Sequence, residues 1–191
     1  MKRAWLAGLL VVGALASGCG DDGDNNDSGD TGDNTSAVES NDVDPEGDEP
    51  AGLPKFCDLL TADQVSAAVG AAVNLSTGPF DACEFDQDDP RALSGSVGAV
   101  EVDTGNGGYD AYVSGAGGSL EDSAAHPLDG IGEQAFVTTG TFGGGSSLQA
   151  AGGALVGGSV YTVNLSQATG MSEAELVAIS EKLLTLLVDA A

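Results

Sequence analysis

Two stretches of the chain carry apolar residues at helical spacing, each headed by a start signal. Thr61 stands where it can cap a helix, and Gln64 closes a capping box, with Leu60 and Val65 at the staple positions. Val65, Ala68 and Val69 then share one face, and Gly70 supplies the stop. The second stretch begins at Ser172, with Glu175 closing the box and Met171 and Leu176 as the staple. Leu176, Ile179, Leu183, Leu184, Leu187 and Val188 form a broad stripe, with Glu181, Lys182, Thr185 and Asp189 opposite. This spacing predicts a helix over 173–189 that lays its stripe on a sheet.

Between these stretches the period changes to two. Val100-Glu101-Val102-Asp103 alternates, as does Tyr161-Thr162-Val163-Asn164-Leu165. Further strands are predicted around 83–85, 135–139 and 147–156, with Gly157-Gly158 as a hairpin turn into 159–165. Residues 107–114, with Tyr109, Tyr112 and Val113, read as a short helix despite flanking glycines. Helix first, strands in the middle and helix last predict an α+β domain in two layers. An antiparallel sheet of about five strands would pack against an N-terminal and a C-terminal helix.

The first residues do not belong to that domain. Met1-Lys2-Arg3, the apolar run 4–16 and Ser17-Gly18-Cys19 have the layout of an export signal, too short for a membrane span of about 20 residues. Leu15-Ala16-Ser17-Gly18-Cys19 resembles a bacterial lipobox, with Ala16 where such motifs more often carry Leu or Val. This predicts removal of 1–18 and a diacylglycerol on the Cys19 thiol. An ordinary secretory signal and an uncleaved anchor are the competing readings.

Charge sharpens the division. The 191 residues include thirty acids and five bases, for a formal net charge of −25. Lys2 and Arg3 leave with the signal. Lys55, Arg91 and Lys182 then stand against all thirty acids, a net charge of −27. Twelve of the acids lie in 20–52, a stretch with no base and no aromatic residue. Low hydrophobicity and high charge predict a disordered linker there, with a reach of about 30–35 Å before charge repulsion lengthens it. Asp24-Asn25-Asn26-Asp27-Ser28-Gly29 has the alternating oxygens of a calcium loop. However, the twelfth position is Thr35 rather than a bidentate Glu, and a solvated tether is the better reading. Residues 53–191 then make a single domain of ordinary size with a net charge of −15, from three bases against eighteen acids. So acidic a chain is not expected to bind nucleic acid, which requires a basic surface.

With Cys19 acylated, Cys57 and Cys83 remain. Two leftover thiols in an exported domain read as one disulfide, tying the start of the first helix to an early strand. A metal site is the weaker reading, with no Cys-x-x-Cys and the sole His distant. A reactive thiol would need basic surroundings.

Phe56-Cys57-Asp58-Leu59-Leu60-Thr61-Ala62-Asp63-Gln64-Val65, followed by Ala68-Val69-Gly70, resembles the opening of a family of small secreted actinobacterial lipoproteins, domain of unknown function 3558. Ala82-Cys83-Glu84-Phe85 and Leu128-Asp129-Gly130-Ile131-Gly132-Glu133-Gln134-Ala135 are similar to its later landmarks. A closing hairpin and C-terminal helix extend the likeness over most of 53–191. Phe85 takes the place of an aromatic, often Trp, that usually follows the second Cys. The resemblance implies an envelope location, a lipid anchor and a Cys57–Cys83 disulfide, and it implies no activity.

Candidate chemistry is sparse. His126 precedes Pro127 and is expected to be extended and exposed. It is the sole candidate base, and no Ser lies in a nucleophile elbow. Glycine clusters at 105–108, 115–118, 143–145 and 152–158 spell no phosphate loop and read as turns and close packing. Gly130-Ile131-Gly132-Glu133 reads as backbone geometry entering the strand at Ala135, with any further role left open. Asp88-Asp89 and Glu121-Asp122 read as solvated surface. No catalytic residue, cofactor or metal ligand is expected. The preferred function is a lipid-anchored extracytoplasmic binding or accessory module, held to the cell membrane through Cys19, with an unknown envelope ligand or protein as partner. An envelope hydrolase and a structural or protein-interaction component are the alternatives. A binding module should display a concave apolar pocket between sheet and helices. An interaction component should display a flat apolar patch.

Overall fold

Both capping boxes form. In a computed structural model, which describes residues 53–191, Thr61 Oγ1 accepts from the Gln64 N–H at 3.3 Å and the Gln64 side chain accepts from the Thr61 N–H at 2.9 Å. Ser172 and Glu175 exchange the equivalent bonds. They start α2 (Ala62–Val69) and α4 (Glu173–Ala190), and Gly70 ends α2 in the left-handed conformation expected of a C-terminal cap. A one-turn helix, α1 (Phe56–Leu59), precedes them in chain order, and α3 (Gly108–Gly118) lies between the strands. Cys19, the signal segment 1–18 and the linker 19–52 lie outside the described residues.

The described residues form seven antiparallel strands rather than about five. They are β1 (Asn74–Thr77), β2 (Cys83–Asp86), β3 (Ser94–Glu101), β4 (Glu121–Leu128), β5 (Gln134–Thr141), β6 (Leu148–Val156) and β7 (Ser159–Ser166). Their order in the sheet is β1-β2-β3-β7-β6-β5-β4. The two unforeseen strands, β1 and β4, are the edges. An edge strand lacks a neighbour on one side and here carries few apolar residues, so neither has an alternating pattern to read. Pro127 is tolerated in β4 because it is an edge. The third strand also starts earlier than its clean alternation suggests: Ser94-Gly95-Ser96 belong to it, whereas Val102 and Asp103 do not.

The chain meanders from β1 to β3 and crosses by α3 to the far edge. It then returns through β4, β5 and β6 to lay β7 beside β3, with Ser94 opposite Ser166 and Glu101 opposite Ser159. One face of the sheet carries Phe85, Val97, Val137, Ala150, Val163 and Leu165 against the stripe of α4. Leu176, Leu183, Leu184 and Leu187 are fully buried there, each worth about 1.5–3 kcal/mol relative to exposure. α2 and Phe56 close one end of that core.

The helix over 107–114 is longer than its sequence suggests and lies on the opposite face, which makes a partial third layer in place of the expected two. Tyr109 and Tyr112 meet Phe136 edge to face, at centroid distances of 5.9 and 6.0 Å. Burial pushes the Tyr112 phenol up to about 12. Burial, with the nearby Asp110 charge second, raises Tyr109 as well. Cys57 in α1 and Cys83 at the head of β2 form a disulfide, with Cα atoms 4.7 Å apart.

Candidate functional site

α3 covers only the β4–β6 half of its face. On the other half, the alternation of the strands aims short polar side chains outward. Strand register lines them up: Ser76 pairs with Glu84, Glu84 with Ser96, Ser96 with Asn164, and Asn164 with Ala151. This row crosses five strands at right angles. With strands about 4.8 Å apart it is about 19 Å long. It floors an open groove of about 600 Å³, which Asp86, Ser94, Ser166 and Gln149 extend.

A glycine builds the far wall. A Cβ on Gly140 would stand 2.8 Å from Leu120 Cβ and 2.7 Å from the Glu121 carbonyl oxygen. Without one, the chain leaving α3 lies down on the sheet, and Ser119 and Leu120 form a bank of the groove. Phe142, the first residue after β5, stands at the rim and is 69% exposed.

The lining contains two carboxylates, Glu84 and Asp86, and no base. Of the three bases in the described residues, Arg91 reaches toward the Ala168 carbonyl and Lys182 is exposed on the side of α4 that faces α2. The groove therefore repels anions and offers hydroxyl and amide groups that both donate and accept. It is neither apolar nor between sheet and helices, as the sequence reading expected of a binding module. The leucines of α4 fill that space.

A shallower, more apolar recess of about 580 Å³ lies between α2 and α4 over Ala67, Ala68, Ala178 and Leu186. Phe80, in the loop between β1 and β2, is 96% exposed. Phe80 and Asp81 both hold φ near +57°, a left-handed conformation that costs a non-glycine residue of order 1 kcal/mol or more.

His126 is extended in β4 as expected, but only half-exposed. Its Nε2 lies 2.8 Å from Glu173 Oε1 and 3.3 Å from Thr139 Oγ1, and the Thr139 hydroxyl donates to the same Glu173 oxygen at 2.9 Å. A carboxylate only accepts, so Nε2 carries the hydrogen in this contact. A hydrolytic triad needs the carboxylate on one ring nitrogen and the nucleophile on the other. Here both contacts use Nε2, and Thr139 is buried. The cluster pins the N-terminus of α4 to the β4 edge. Nothing in the sequence brings Glu173 to His126, because 47 residues separate them.

The Gly130–Glu133 loop matches its structural reading. Ile131 is buried, and Glu133 holds the β6–β7 turn by accepting from the Gly157 N–H at 2.9 Å. Among the described residues no group of three or more His, Cys, Asp or Glu side chains is placed to hold a metal ion. Among the same residues no helix is long and apolar enough to cross a membrane. Comparison with family models, curated proteins and solved structures finds no match for this chain.

Proposed function

We propose that this protein is a lipid-anchored extracytoplasmic binding module, held at the cell membrane through Cys19, whose ligand site is the groove floored by Ser76, Glu84, Ser96 and Asn164. The observation that carries this reading is the groove itself. Five strands contribute outward polar side chains to one continuous recess, and Gly140 lets a sixth segment wall it. The export-type N-terminus and the lipobox-like run before Cys19 support the envelope placement. The acidic stretch 20–52 supports a spacer role, since like charge drives it away from anionic lipid.

Amide-shift mapping tests the binding reading. The full chain with Cys19→Ala, which has no thiol at position 19 to acylate, is titrated with fractionated envelope extract. Saturable movement of the Ser96, Gln149 and Asn164 amides is expected. Movement confined to residues around Phe80, or to α2 and α4, would transfer the function to protein interaction. That second reading rests on Phe80, because a fully exposed aromatic on a strained loop resembles the anchor of a protein interface.

A further inference from the structure

We infer that the groove takes a neutral oligosaccharide, a ligand class that rests on the binding-module reading above. Four features select it. The lining has no base and two carboxylates, which disfavours phosphates, uronates and nucleotides. Its Ser, Asn and Gln side chains donate and accept in turn, and its carboxylates accept. That is the complement of a run of sugar hydroxyls, each of which also does both. The row from Ser76 to Ala151 is about 19 Å long, with strands about 4.8 Å apart, which suits several linked sugars rather than one. Finally, Phe142 is held exposed at the rim. The electron-rich face of its ring can take the polarised C–H face of a pyranose.

An extended peptide fits less well. Peptides gain affinity on sheets by adding a strand to an edge, where main-chain groups are free. This groove crosses a face whose backbone is already paired in β2, β3, β7 and β6, and its row runs across the strands, not along the free edge of β1. A peptide there would find side chains only, and most of those are short.

The test uses the full chain with Cys19→Ala and calorimetric titration with chitotetraose, cellotetraose, maltotetraose and mannotetraose. Tetragalacturonate and tetralysine serve as charged controls. At least one neutral tetraose is expected to bind saturably, and more tightly than its own monosaccharide. Tetragalacturonate is expected not to bind. Asn164→Ala and Phe142→Ala should each weaken the tetraose about tenfold, the worth of one or two hydrogen bonds or a lost stacking contact. Both side chains are exposed, so folding should be unaffected, and an unchanged melting temperature checks this. Ser96→Trp, which fills the floor, should abolish binding. If none of the four tetraoses binds, the saccharide assignment is overturned, and so it is if tetralysine binds the groove instead. In the latter case the binding-module reading stands. If groove amides also ignore the envelope fractions, both readings fall.

Discussion

Gly153 lies directly beneath Tyr112: a Cβ at position 153 would stand 3.0 Å from Tyr112 Cε1 and 2.5 Å from Val160 Cγ1. The missing side chain is what lets α3 settle on the sheet. Its own sequence offers little else, since four of its eleven residues are glycines and none is fully buried. Gly153→Ala should therefore cost about 1–3 kcal/mol by overpacking, read from urea denaturation. The tyrosine near-UV circular dichroism should weaken with it. An unchanged spectrum and midpoint would mean that α3 does not rest on this contact.

The same tyrosine makes an alkaline limit. Burial raises the Tyr112 phenol from 10.0 to about 12, so the folded state holds that proton more tightly than the unfolded chain. The resulting stability is complete below about pH 10 and is lost as pH rises toward about 12. Its size is about 2–3 kcal/mol. Tyr112→Phe should flatten that part of the stability–pH curve while leaving the neutral region within about 1 kcal/mol of the parent.

At the other end of the fold, the Cys57–Cys83 disulfide closes a loop of 26 residues. Chain entropy gives it about 3–4 kcal/mol. Cys57→Ala and Cys83→Ala should destabilise alike, and the double variant should add little to either. Thiols that alkylate in the unreduced native protein would contradict the pairing.

Adjacent positions on α4 should behave oppositely. Leu183 is fully buried against the sheet and Lys182 is exposed. Leu183→Ala should cost about 2–5 kcal/mol in thermal or urea unfolding, and Lys182→Ala about half a kcal/mol or less.

Anchoring is checked directly on the whole protein. Radiolabelled fatty acid should enter the exported chain, and Cys19→Ala should abolish the label. Label on the variant, or none on the exported parent, would refute attachment at Cys19. A scrambled 20–52 of the same composition should leave anchoring and groove binding unchanged if that stretch acts only through length and charge.

Local interactions explain what was legible in the sequence. Each capping box is settled within four residues, and the stripe of α4 repeats every turn, so both helices and their buried faces follow from spacing alone. The inner strands β5, β6 and β7 announce themselves because both neighbours and both faces constrain them. Cysteine arithmetic reaches the Cys57–Cys83 pair because only two thiols remain once Cys19 is set aside.

Tertiary structure decided the rest. Ser76, Glu84, Ser96 and Asn164 each look like an ordinary outward position of a half-buried strand. They form one row only because α3 carries the chain from β3 to the far edge and so returns β7 beside β3. Crossovers of this kind are fixed by packing of whole elements, and no local pattern encodes them. The meeting of His126 with Glu173 has the same origin. So do the roles of Gly140 and Gly153, where the absence of an atom matters only once another segment is laid against it.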